Sequence, residues 1–314
     1  MLITKEATQN SKAIAIVCVM VGHLISSHKT AFPLYLQDFA TFSVGVFLFL
    51  SGYGLTKSIE SNGLKNFLTK KFLSVYIPFV LATLVTSIYR GAYETNPQEV
   101  IFTITYLSAQ LKIDPTMWFV YFISAWYVSF YVIFLIFKSN YLRIIALFSI
   151  SILLSNFPSK SYSYVLHSMF SLHAFTFPLG VLISLFVHTN KKQNILISGG
   201  LVLAFVGVFY AMVNHYSIPI VMINSIIFAI TLPLIFSIIG FSNRLIAFLG
   251  AYSYEIYLFE GIFRWNNFSQ NKITNAAIFF ITVLTLAYAF KPVSSFAQQL
   301  IGQYLTFIGS KVKP

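Results

Sequence analysis

Residues 13–25 read Ala-Ile-Ala-Ile-Val-Cys-Val-Met-Val-Gly-His-Leu-Ile, and His23 is the one ionisable side chain among them apart from the thiol of Cys18. The run is continuously apolar. Membrane β-barrel strands instead alternate apolar and polar side chains over roughly 10 residues, so a strand reading fails. A helix crosses the roughly 30 Å hydrocarbon core with about 20 residues, and this stretch with its flanks supplies one span. A secretory signal has a similar apolar core, but Ser26, Ser27 and His28 offer no convincing cleavage site and apolar runs of the same kind fill the rest of the chain. The segment is expected to be an uncleaved first membrane helix.

The composition extends that reading to the whole chain. Of 314 residues, 57% are hydrophobic and only 9% charged, against about 25% charged in ordinary globular domains. Too little polar surface exists to coat a soluble body. An aromatic content of 18% also excludes intrinsic disorder. Cys18 is the sole cysteine, so no disulfide forms within the chain.

Long apolar runs fall at 13–28, 39–56, 72–88, 117–137, 143–157, 166–188, 194–213, 218–239, 245–264 and 276–291. The expected fold class is all-α: a polytopic integral membrane protein of about ten transmembrane helices, forming a single domain over residues 1–314. Ten spans put both termini on one side. With the termini cytoplasmic, 14 of the 20 lysines and arginines lie on the inner side. Lys29, Arg90, Lys112, Lys160, Arg264 and Lys272 remain outside, a positive-inside bias that places both termini in the cytoplasm and the protein in the cell membrane. The net charge of +12 is therefore spread over short loops and not gathered on one face for nucleic acid. Between Arg90 and Thr116 the stretch Val100 to Leu111 is apolar but short, which predicts a re-entrant or interfacial helix. Pro292 is expected to separate the last span from a mixed C-terminal tail.

Polar side chains inside spans are costly and therefore informative. Lys12 and His23 are eleven positions apart, within about 20° of three full helical turns, so they leave one face of the first helix about 16 Å apart. An imidazole acts as general base near neutral pH, and a lysine at the membrane entrance holds phosphates. A snorkelling lysine and a histidine hydrogen-bonded between helices have the same spacing. Glu255 and Glu260 are the acidic residues inside spans; His167 and His173 are expected to be satisfied core or rim histidines. Ser51 and Gly52 break an apolar helix, as close packing of helices or a catalytic serine would.

Gly22-His23-Leu24, the stretch Val46-Phe47-Leu48-Phe49-Leu50-Ser51-Gly52-Tyr53, Lys70-Lys71 leading to Tyr76-Ile77-Pro78-Phe79, Trp118-Phe119, the run from Leu249 to Leu258, and Lys291-Pro292 follow one another in an order that resembles membrane acyltransferase family 3. The resemblance covers nearly the whole chain. It implies transfer of an acyl group, usually acetyl from acetyl-CoA, to a sugar hydroxyl of a cell-surface or exported glycan, with a glycan or lipid-linked sugar as acceptor and no metal. The family's pattern of a basic residue, usually arginine, and a histidine on the first helix maps onto Lys12 and His23. Lysine holds a phosphate as a point charge, without the fork of guanidinium. Many members carry a histidine where this chain has Glu260, which supplies a carboxylate to orient His23 or marks a different acceptor.

The expected site therefore comprises His23 as general base, Glu260 or Glu255 holding its imidazole, Lys12, Lys70 and Lys71 at the CoA phosphates, and Ser51 and Trp118 lining the substrate. The alternatives from other classes are a transporter or flippase for lipids or glycans and an intramembrane serine protease. The first lacks evident inverted halves in the sequence, and the second lacks a Gly-x-Ser-Gly turn.

Overall fold

A computed structural model describes residues 3–27, 32–108, 110–156, 164–241 and 243–311, with side chains left out at 164–167 and 309–311. His167 thus falls outside the described side chains. The chain is helical almost throughout, and no strand occurs among the described residues. The principal helices are α1 (Lys5–Ser26), α2 (Asp38–Asn62), α3 (Phe67–Tyr89), α4 (Pro97–Ile104), α5 (Trp118–Ile136), α6 (Asn140–Ser155), α7 (Tyr164–His173), α8 (Thr176–Phe186), α9 (Lys191–Asn214), α10 (Ile218–Ile239), α11 (Arg244–Ala251), α12 (Ser253–Phe263) and α13 (Lys272–Lys311).

Among the described residues, eight helical segments are long and apolar enough to cross a bilayer, counting α7 and α8 as one span from Ser168 to Phe186. The bent pair α11 and α12, turned by 72° at Tyr252, makes a ninth. α6, with 16 residues, is the remaining expected run and is the short one. Large apolar side chains such as Ile88, Leu203 and Ile273 are exposed, as lipid contact requires.

α1 begins eight residues earlier than the apolar run alone suggests. The Thr4 hydroxyl caps it by accepting from Ala7 N at 3.0 Å, and Glu6 lies in its first turn, at the positive end of the helix dipole. Asn10 and Ser11 are buried near its polar start, where the Gln9 amide donates to Ala247 O of α11 at 2.8 Å and the Asn10 amide to Phe241 O just before α11. Interhelical hydrogen bonds thus allow polar residues to extend the helix.

α2 is central and packs on α1, α8 and α10. Its approach to α8 depends on two glycines: a Cβ at Gly52 would meet Phe177 O, and one at Gly180 would meet Phe49 O. The small residue expected to permit close packing is therefore Gly52, while its neighbour Ser51 faces a cavity.

α4 occupies the expected short apolar stretch but ends at Ile104. It buries Val100 and Thr103 and exposes Ile101 and Phe102, an interfacial pattern. The expected break at Pro292 is corrected: α13 continues through it to Lys311. Proline removes one backbone hydrogen bond, whereas unwinding the helix would leave several groups unpaired in an apolar setting.

Candidate active site

The ends of α1 and α12 meet at a part-buried histidine–carboxylate contact. Glu260 Oε2 lies 2.7 Å from His23 Nδ1; the Glu260 side chain has no solvent exposure and that of His23 has 21%. A carboxylate at Nδ1 holds the proton there and leaves Nε2 with its lone pair for substrate. Glu260 Oε1 is buried without a hydrogen-bond partner. Next to it, Gly261 packs against the Asp114 carboxyl so closely that a Cβ would lie 2.5 Å from Oδ2. Asp114 Oδ1 accepts from Thr116 N at 2.9 Å and Thr116 Oγ1 at 2.8 Å, while Oδ2 is buried and unpartnered. Burial pushes the Asp114 carboxyl above the usual carboxylate range; the Thr116 hydrogen bonds oppose this and the charge of Glu260 reinforces it. Arg90 fastens this corner, donating to Ile113 O at 2.7 Å and Gly261 O at 3.1 Å.

His23 opens into one cavity, and a second lies on the far side of a shared wall. The first, of about 390 Å³, is lined by His23, Asp38, Thr116, Trp118, His173 and Arg264 among others. The second, of about 200 Å³, is lined by Lys12, Ser51, Ser74, Tyr127, Ser253 and Tyr254 among others. Val19, Val44 and Tyr257 line both and so form the wall between them. Tyr257 is fixed there by donating its hydroxyl proton to Thr116 O. The expected face of α1 exists, but its two ends open into different chambers.

Lys12 is the cation in the lining of its chamber among the described residues, and two more lysines stand close by. Lys12 lies near enough to Lys71 and Lys291 for mutual repulsion. Lys71 Nζ sits 4.7 Å from the centre of the Tyr127 ring, and no carboxylate pairs with Lys12 or Lys71 among the described residues. The bend at Tyr252 brings the first turn of α12, through Ser253 and Tyr254, to the same chamber, adding the positive end of a helix dipole. Such a chamber suits a phosphorylated ligand.

Several expected residues thus converge. His23 and Trp118 share one cavity, and Lys12 and Ser51 line the other, beside Lys71. Ser51 accepts a hydrogen bond from the Tyr127 hydroxyl at 3.4 Å. Lys70 is exposed and lines neither cavity; Lys71, about 100° further round the helix, lines neither as well but lies over the Tyr127 ring, whose residue lines the Lys12 chamber. Glu255, expected either to pair with a neighbouring helix or to hold the imidazole, pairs with α13: its Oε2 lies 3.4 Å from Lys291 Nζ, while Lys291 also donates to Ala251 O and lies 4.2 Å over the Tyr252 ring. Glu255 is five positions before Glu260 and leaves the helix toward α13, so only Glu260 reaches His23. His173, expected to be a satisfied histidine, is fully buried with neither ring nitrogen hydrogen-bonded.

Asp114, Tyr257, Arg264 and Lys291 are the residues sequence reasoning did not select for the site. Tyr257 and Lys291 lie within quoted motifs, which was the available signal. Asp114 and Arg264 sit at helix ends in loops and carried none.

The fold and site define a class: a polytopic helical membrane protein whose histidine–carboxylate contact faces one polar cavity, with a second, Lys12-lined cavity behind a shared wall. The Acyltransferase domain of acyltransferase family 3 matches residues 9–291, nearly the entire chain, and the protein belongs to that family. It is a membrane acyltransferase, which selects that reading over the transporter, flippase and protease readings drawn from the sequence. No curated protein and no solved structure matches it.

Proposed function

We propose that the protein is an O-acyltransferase of the cell membrane that moves an acetyl or related acyl group from acyl-CoA to a hydroxyl of a cell-surface or exported glycan. Both termini face the cytoplasm in this reading, on the strength of the positive-inside bias. The CoA phosphates enter from that side to Lys12 and Lys71, with Lys291 adding positive charge, and the pantetheine arm runs along α1 toward the wall at Val19. The acceptor occupies the cavity on the far side.

The observation that carries this reading is the 2.7 Å contact between His23 Nδ1 and the unexposed Glu260, with His23 lining a cavity that shares the wall of Val19, Val44 and Tyr257 with the Lys12 chamber. His23 Nε2 takes the proton of the acceptor hydroxyl as its oxygen attacks the thioester carbonyl. A tetrahedral intermediate forms, its C–S bond breaks, and the CoA thiolate receives the proton back from the imidazolium. Glu260 stabilises the imidazolium throughout and does not itself move a proton. The acyl group passes directly from sulfur to oxygen, which balances without an intermediate on the protein.

The test is glycan mass spectrometry of cells expressing equal amounts of wild type and His23→Ala. Wild type adds about 42 Da for each acetyl group, and the variant does not. Unchanged acetylation in the variant would overturn the mechanism.

A further inference from the structure

His173 closes α7 inside the protein, with no solvent exposure and no hydrogen-bond partner for Nδ1 or Nε2. Leaving such a group unpaired is costly, and native proteins seldom do so without a ligand or water that completes the bonding. Its surroundings indicate which. The ring lies flat on the Trp118 indole, at 5.6 Å between centroids and 14° between planes, and both side chains line the His23 cavity. The backbone beyond is held by Ser151, whose hydroxyl donates to Ala174 O at 2.8 Å, so the ring cannot easily swing to another partner.

A neutral imidazole offers one donor and one acceptor. A sugar hydroxyl, or an adjacent pair of them, offers both in return. The rest of the cavity suits the same chemistry. Asp38 Oδ1 accepts from the Tyr216 hydroxyl at 3.4 Å, and Arg264 donates to Ser26 Oγ at 2.6 Å. Polar groups of both signs around one aromatic wall favour a polyhydroxylated ring over an aliphatic alcohol or a simple anion.

Resting on the acyltransferase reading above, we propose that His173, backed by Trp118, forms an acceptor subsite that hydrogen-bonds sugar hydroxyls and orients one of them toward His23. His173 is a substrate-binding residue and transfers no proton.

The test uses the full chain in detergent, radiolabelled acetyl-CoA as donor, and as acceptor the surface glycan of the producing cells, freed of esters by alkali. His173→Phe keeps a flat ring against Trp118 and removes both nitrogens. It is expected to raise the apparent KM for glycan roughly tenfold, the loss of one or two neutral hydrogen bonds. The KM for acetyl-CoA stays as in wild type. His173→Gln, which restores a donor and an acceptor, recovers most of the loss. A merely structural imidazole would give the opposite pattern: His173→Phe would melt at the same or a higher temperature with an unchanged glycan KM, and that result would overturn the subsite. If His173→Phe does not fold, Trp118→Leu replaces it, with the same rise in glycan KM expected and an unchanged value refuting. No label transfer by wild type would instead remove the acyltransferase reading, a distinct failure.

Discussion

Replacing Glu260 by glutamine changes one charge in a side chain without solvent exposure and leaves its shape almost intact. Two consequences follow for His23. A full charge on each side about 4 Å apart would interact by roughly 4 kcal/mol at an effective dielectric near 20. The net value of a charge-assisted hydrogen bond is smaller, about 1.5–3 kcal/mol. In the proposed mechanism the imidazolium forms as the acceptor loses its proton, so most of that energy belongs to the transition state. The glutamine amide can also present its own N–H to Nδ1, which favours the tautomer with the proton on Nε2 and removes the base. Taking about 3 kcal/mol, Glu260→Gln slows transfer by roughly 150-fold.

The assay is the initial rate of label transfer from acyl-CoA to glycan, with donor affinity measured separately by calorimetry. Glu260 lines neither cavity, so donor affinity should stay within about twofold of wild type, well under the tenfold per 1.4 kcal/mol that a lost contact would give. A variant keeping more than about a third of the wild-type rate would refute the imidazole-holding role, since that loss is under 1 kcal/mol. Equal losses in rate and donor affinity would point instead to general disruption.

Lys12→Ala is expected to raise the KM for acyl-CoA by roughly tenfold or more, the value of a charge-assisted contact to phosphate, whereas Lys12→Arg restores it; Lys70→Ala, at an exposed position on neither cavity, leaves it unchanged. Gly180→Ala drives a methyl group onto Phe49 O and should cost about 1–3 kcal/mol, seen as a melting point several degrees lower. Gly200→Ala, mid-helix with open space around it, supplies the control: its melting point should stay the same or rise, since alanine is the better helix former. Asp114→Asn tests a pH effect whose sign is fixed by burial. A carboxyl raised in the folded state stabilises the fold below the ordinary carboxylate range, and that contribution is lost as pH rises through the raised value. Melting curves between about pH 5 and pH 8 should therefore show the variant gaining on wild type as pH rises; parallel curves would contradict the shift.

What the sequence made legible was local to single helices. The shared face of Lys12 and His23 follows from a 3.6-residue period, and Val19, seven positions after Lys12 and four before His23, completes that face. Apolar length located the spans. The partner of His23 is 237 residues away, so only the chemical need for a carboxylate pointed to Glu260, and it did not separate Glu260 from Glu255. That choice depends on the rotation of α12 after the bend at Tyr252, which no local pattern encodes. Lys291 tips the balance from α13 by taking Glu255 for itself. His173 was misjudged for a related reason: burial is predictable from an apolar neighbourhood, but whether a buried ring finds a partner depends on packing across helices.

The wall between the chambers bears on why the reaction is placed inside the membrane at all. An acyl thioester opposite an activated base hydrolyses if water reaches the carbonyl with the acceptor. Val19 and Val44 present apolar surface to both sides, and Tyr257 commits its hydroxyl to Thr116 O, so none of the three offers a site for water to bridge the chambers. On the proposed reading, the thioester and the sugar hydroxyl meet only where the two cavities touch, and His23 stands on the acceptor side of that contact. On the same reading, the orphan nitrogens of His173 favour a sugar over water for the place beside His23.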